Sequence, residues 1–167
     1  MDIIEQEQIL QVEIKNIFNS IQQLTKNIPD NLNEQVSRLF QLRSEVYEEL
    51  NQLQHKSLIL TVAKLLKKEF PEINRWTWHP KQTSNPDEAD LTGYTDSIVI
   101  ISAEVTTSIK PVGTIDTRMR KTLNSLNRKN GKLFYFVQTT EMFNRATSKI
   151  TKNNWDITPR LVRYGQF

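Results

Sequence analysis

Asp90 and Glu104 stand fourteen positions apart, in the stretches Ala89-Asp90-Leu91-Thr92-Gly93 and Ile98-Val99-Ile100-Ile101-Ser102-Ala103-Glu104-Val105-Thr106. The β-forming character of both stretches, with a turn between them, puts the two carboxylates on adjoining strands of a hairpin. Hard cations such as Mg²⁺ take oxygen ligands, and one or two carboxylates commonly hold them where phosphates are processed. A sheet fixes such ligands more tightly than a loop does. The pair therefore points to metal-assisted phosphodiester chemistry.

Other chemistries lack their residues. The chain has no cysteine and only two histidines, His55 and His79, so disulfides, thiolate nucleophiles and zinc clusters are excluded. There is no Gly-x-Gly-x-x-Gly, Walker loop or Gly-x-Ser-x-Gly to support nucleotide hydrolysis or hydrolase-elbow catalysis. No apolar run reaches the ~18 residues of a membrane span, and Met1-Asp2-Ile3-Ile4-Glu5 lacks the basic start of a signal peptide. The expected compartment is the cytoplasm, with no membrane partner.

The elements that must position the pair follow from periodicity. The chain is 167 residues, long enough for one domain, or one with a helical appendage. Ile3, Leu10, Ile17 and Leu24 recur every seven residues, as do Ile14, Ile21 and Ile28. That is a heptad-like seam on a first helix ended by Pro29. Asp30 or Asn31 caps a second helix carrying Leu32, Val36, Leu39, Phe40, Val46, Tyr47, Leu50 and Leu53. Residues 1–54 thus read as a helical hairpin, packed on itself or forming a homodimer or partner-protein interface. A third helix runs from Ser57 to Phe70. Strands follow at 73–78, 88–92 and 97–106, with a turn at Gly93 to Asp96. A helix at 115–128, capped by Asp116 or Thr117, leads to a strand at 132–138. A helix over Thr140 to Lys152 and a strand near Leu161 to Tyr164 complete the chain. Ile98 to Ile101 is apolar on both faces, as a central, covered strand requires.

Net charge is +3, but it is unevenly placed. Met1–Phe70 holds 8 basic and 10 acidic residues, and Lys110–Phe167 holds 12 basic and 3 acidic. The basic half suits a polyanion-binding face as well as a solvated surface. Arg118, Arg120, Lys121, Arg128 and Lys129 lie on or just beyond the helix that follows Glu104, where they can meet phosphates. Ser125 shares their helical spacing. Trp76 and Trp78 share a strand face and read as core. His55 reads as a surface residue, and Glu49 and Glu69 as exposed helix carboxylates.

The element order, with these residues in these places, resembles the PD-(D/E)XK, restriction-endonuclease-like nucleases. The resemblance implies an α/β domain over residues 55–167 with an αβββαβ core at 57–137 and a mixed central sheet. Asp90-Leu91-Thr92-Gly93 fits the family's Asp-apolar-x-small pattern, and Glu104-Val105-Thr106 fills its Glu-x-Lys slot. Asp87, after Pro86, is the alternative first carboxylate, and would lie nearly opposite Glu104 in a regular hairpin turning near Thr95. By this resemblance Asp90 and Glu104 hold Mg²⁺, with Mn²⁺ as a substitute, and DNA is cleaved in restriction or phage-defence fashion, RNA remaining open. Asp90, Glu104, Thr106 and Lys121 would form the catalytic set. Thr106 departs from the pattern, because the family places lysine there. Lys110 or Lys121 would supply the missing cation, or the chain is a catalytically inactive nucleic-acid-binding or assembly module. Thr106-Thr107-Ser108 and Arg118-Met119-Arg120-Lys121 loosely fit the variant found in cleavage domains that nick or cut beside their site.

Overall fold

The computed structural model describes residues 1–26, 28–80 and 88–163. They divide into a helical unit, Asp2–Ser57, and a sheet-bearing unit formed by Leu58 onward together with Met1. Among the described residues there are four helices and one five-stranded mixed sheet. Among the described residues no helix is long and apolar enough to cross a membrane.

The helical unit begins with α1, Ile3–Thr25, capped by Asp2, whose Oδ1 accepts from the N–H groups of Ile4 and Glu5. This satisfies donors that the helix itself cannot. Ile3, Leu10 and Ile17 are buried, as the seven-residue spacing requires. The second helix, α2, spans Leu32–Glu69, and Asn31 rather than Asp30 caps it through Oδ1 to the N–H of Asn33. One continuous helix replaces the two expected here. Gln54-His55-Lys56 contains no glycine or proline, so nothing forces a break between Leu53 and Ser57. Lys56 Nζ donates to Glu13 Oε1 at 2.7 Å, tying α2 to α1. His55 is buried, contrary to expectation.

The last turns of α2 belong to the sheet unit, where Leu58, Val62, Ala63 and Leu66 are fully buried. The strands are β1 (Arg75–Trp78), β2 (Leu91–Thr95), β3 (Ile98–Val105), β4 (Lys132–Val137) and β5 (Ile157–Leu161), in that order across the sheet. The first three are antiparallel neighbours, while β3, β4 and β5 run parallel. Parallel neighbours need crossovers. Two helices provide them: α3 (Thr114–Leu126) and α4 (Thr140–Asn153).

Strand β2 lies further along the chain than the sequence indicated, and the turn falls at Asp96-Ser97. Gly93, expected in the turn, pairs with Trp76 inside the ladder. A Cβ there would lie 2.8 Å from Ile73 Cδ1 and 2.9 Å from Trp76 Cζ3, so the glycine makes room for a buried tryptophan. Trp76 is core, as expected, and Trp78 is half-buried. Strand β5 also starts earlier, because Asn154 in a left-handed conformation ends α4 and the chain turns directly into Ile157. Its Pro159 is tolerated on an edge strand. The expected strand residue Tyr164 lies outside the described residues.

Side-chain alternation sorts the two faces of the sheet. Leu133, Tyr135 and Val137 join Met119, Leu123, Met142 and Ala146 in one core beneath α3 and α4. Phe134 and Phe136 face the other way, where Phe70 meets Phe134 with ring centroids 6.0 Å apart. On that side Glu69, exposed as expected, accepts from both terminal nitrogens of Arg160, whose guanidinium lies over the Phe134 ring. Ile98 is 69% exposed, not covered, because β4 begins only opposite Ile101.

Helix α3 starts at Gly113, with no side-chain cap. Asp116, expected as a cap, instead accepts from Arg145 Nε at 2.7 Å and Lys149 Nζ at 3.0 Å, which clamps α3 to α4. The Arg145 hydrogen bond, then that of Lys149, hold its carboxyl well below the ordinary 3.8. A carboxyl with a depressed folded-state pKa stabilises above its unfolded value and loses that contribution as pH falls below it. Asp116→Asn should therefore melt a few degrees below wild type near neutrality, the clamp being only partly buried. The two should converge as pH falls below about 3.8. Melting curves that stay parallel down to pH ~2 would rule out the clamp as the source.

Candidate active site

Asp90 immediately precedes β2, and its carbonyl accepts from His79 N–H at 2.9 Å, continuing the β1–β2 ladder by one rung. The last pair on its other side is Leu91 with Ala103, so Asp90 falls opposite Glu104. This alignment depends on an irregularity. Gly93 pairs with Ile101 but Tyr94 pairs with Val99, leaving Ile100 as an extra residue in β3. A regular hairpin turning near Thr95 would have brought Asp87 towards Glu104. Asp87 and Pro86 lie outside the described residues. Asp90 Oδ2 accepts from Val105 N–H at 2.8 Å, which fixes the carboxylate against the strand bearing Glu104. Both acids are half-buried.

Residues opposite one another in a ladder point to one face. Glu104 pairs with Tyr135, and Tyr135 lies in the core beneath α3 and α4. The carboxylate pair therefore occupies the α3 side of the sheet. Tyr135 was missed by sequence reasoning, although it is the one polar tip in Leu133-Phe134-Tyr135-Phe136-Val137. Only its register with Glu104 shows its importance. Burial chiefly, then the charges of Glu104 and Asp90, raise the Tyr135 pKa well above its ordinary value, while a hydrogen bond with the Thr106 side chain acts the other way. A phenol in that setting stays protonated at any physiological pH and remains a hydrogen-bond donor.

Thr106 thus belongs to the same cluster. Its N–H donates to Phe136 O at 3.0 Å, extending the β3–β4 pairing past Val105. Its Oγ1 also accepts from Ser108 N–H at 3.3 Å. The position given to lysine in the resembled family is here a half-buried hydroxyl turned towards Tyr135.

Beside the carboxylates, a cleft of about 490 Å³ separates β2 and β3 from α3. Thr92 and Ser102 form part of its floor, each two residues from Asp90 or Glu104. At about 3.3 Å per residue those two stand roughly 7 Å from the pair, and Ala89, next to Asp90, carries the lining up to it. Lys121 on α3, with Arg128 and Lys129 in the turn just beyond it, lines the opposite wall. Ser102 Oγ donates to Asn130 O at 2.9 Å, closing the end of the wall onto β3. Three of the five expected phosphate contacts are thereby gathered in one place. Arg118 and Arg120 are exposed on α3 outside the lining, and Lys110 is exposed in the loop between β3 and α3.

Two oxygen ligands with open coordination suit Mg²⁺, which keeps several waters and is usually held by one or two carboxylates plus substrate phosphate. Asp90 and Glu104 are the two carboxylates that could supply such a donor set. Among the described residues no larger group of His, Cys, Asp or Glu is placed to hold a metal ion. No family model, curated protein or solved structure matches the chain.

Proposed function

We propose that the chain is a divalent-metal-dependent endonuclease that hydrolyses DNA phosphodiester bonds, in the manner of restriction-endonuclease-like enzymes of the restriction or phage-defence type. The supporting observation is the placement of Asp90 opposite Glu104 beside a cleft whose far wall, α3 and the turn after it, carries Lys121, Arg128 and Lys129. Asp90 and Glu104 would hold Mg²⁺ or Mn²⁺. A bound divalent ion supplies Lewis acidity towards a phosphoryl oxygen and lowers the pKa of water. Lys121 would stand in for the family's lysine, placing positive charge beside the phosphate. Arg118, Arg120, Arg128 and Lys129 would contact neighbouring phosphates, which sets affinity and register but reads no sequence.

The test is cleavage of supercoiled, linear duplex and single-stranded DNA with Mg²⁺, Mn²⁺ or EDTA. In the same assay Lys121→Ala should lower turnover by on the order of 10²-fold, since one preorganised charge-stabilising group is commonly worth that much. Unchanged turnover would remove Lys121 from the chemistry.

A second reading has its own support. Phe18, Ile28, Leu32, Leu39 and Phe40 are 65–73% exposed on the helical unit, an apolar surface that water does not favour. In this reading the hairpin joins a second copy or a partner protein, and the nuclease-like fold only binds nucleic acid. Self-association predicts a dimer by light scattering at micromolar concentration, and a monomer for Leu39→Glu with Phe40→Glu. A wild type that stays monomeric at high concentration would count against self-association.

A further inference from the structure

The cleft beside the carboxylates has the size and lining of a site for one nucleotide. Small-ligand sites typically enclose about 300–1,000 Å³, and this one is about 490 Å³. Its lining is graded. Tyr94 and Val99, paired across β2 and β3, form an apolar end with one aromatic ring, and Thr92 and Ser102 lie between it and the carboxylates. Arg75 of β1 lies over that ring at 4.0 Å from its centroid, holding it in one orientation. Asn124 on the helical wall offers a carbonyl and an amide, the groups that read base edges. Lys121 and Arg128 stand exposed where a sugar–phosphate chain would leave the cleft. Among the described lining residues none is acidic.

A duplex cannot use such a site. Its bases are stacked and paired inside, out of reach of a ring at one end of a concave cleft, unless one is extruded. A single strand can. Unpaired bases stack on aromatic side chains while cations follow the backbone. We propose that the cleft between β2–β3 and α3 binds one unpaired nucleotide of a single-stranded nucleic acid, its base against Tyr94 and its phosphates on Lys121 and Arg128. Under the nuclease reading, on which this substrate preference rests, the strand then passes across Asp90 and Glu104, which adjoin the cleft at Ala89. Single strands, flaps or locally opened duplexes become the substrate class.

Fluorescence anisotropy of a labelled oligodeoxythymidine, in EDTA at several salt concentrations, tests the site without calling on catalysis. The single strand should bind more tightly than a blunt duplex of equal length. Lys121→Ala with Arg128→Ala should weaken binding by about tenfold or more and reduce the slope of log K against log salt by about 1.4, two single-strand phosphate contacts. Both side chains are exposed, so the variant should melt like wild type. Tyr94→Leu should weaken binding by about tenfold, and Tyr94→Phe should retain it, because the ring does the stacking. Asp90→Asn with Glu104→Gln should bind as well as wild type or better. Equal or tighter duplex binding, or cleft variants indistinguishable from wild type, would overturn the proposal even if Mg²⁺-dependent cleavage is observed. Single-strand binding that responds to the cleft variants, with no cleavage under any metal, would uphold it while removing the nuclease reading.

Discussion

Replacing Glu104 with Gln is expected to lower turnover by at least about 10²–10³-fold while leaving the fold intact or slightly more stable. The substitution removes one charge at nearly constant volume. Two effects follow from one geometry. Asp90 and Glu104 face each other across adjoining strands, and like charges directly opposite in a ladder are destabilising, by roughly 0.2–1 kcal/mol. Removing one relieves that repulsion, so the melting temperature in EDTA should equal or exceed wild type. A site that sacrifices stability for metal affinity behaves in this way. Asp90→Asn should act similarly on turnover, but it also weakens the acceptor for Val105 N–H, so its melting temperature should not rise as far. Plasmid nicking with Mg²⁺ and thermal melts with EDTA measure both effects. If Glu104→Gln cleaves like wild type, the carboxylates do not carry the chemistry. If neither protein cleaves any DNA or RNA with Mg²⁺ or Mn²⁺, the binding-module reading takes over.

The sequence made the carboxylates visible because period-two alternation and turn residues locate a hairpin, and acids at its margins stand out. Their alignment was not visible. Which acid faces Glu104 depends on the extra residue at Ile100 and on a turn at Asp96-Ser97, and neither carries a local signature strong enough to override Gly93 as the apparent turn. Gly93 was misleading because a glycine placed to clear a buried tryptophan looks the same as a glycine placed for a turn. The continuity of α2 was hidden for a related reason. The apolar stripe changes phase between Leu53 and Leu58, which reads as a gap although no residue there breaks a helix. Tyr135 escaped because its role comes from a non-local pairing with Glu104, thirty-one positions earlier. Local periodicity reports which way a side chain points. It does not report which side chain of a distant strand it points beside.

Gly131→Ala should be the most damaging single-methyl change in the sheet unit. Gly131 adopts φ +82°, where an alanine is strained whatever its surroundings. Its surroundings are also closed. A Cβ would lie 2.6 Å from both the carbonyl carbon and oxygen of Ile100, and 2.9 Å from Ile101 N. These are backbone atoms of β3, the middle strand, and they cannot retreat without disturbing pairing to both neighbours. Left-handed strain costs about 1–3 kcal/mol, and displacing the strand adds to it. A total of about 3 kcal/mol or more would lower the melting temperature by roughly 6–12 °C. Gly113→Ala is the control, since φ is +55° there but nothing lies within 4 Å of the added methyl. It carries backbone strain alone, at φ +55° and ψ −123°, and should fall by less. The atoms struck at Ile100 belong to the extra residue that brings Asp90 opposite Glu104. Gly131→Ala should therefore also weaken Mn²⁺ binding at temperatures where the protein remains folded, and Gly113→Ala should not. Equal losses of stability in the two variants would show that the close approach at Ile100 is relieved at little cost, and that strain alone accounts for the effect.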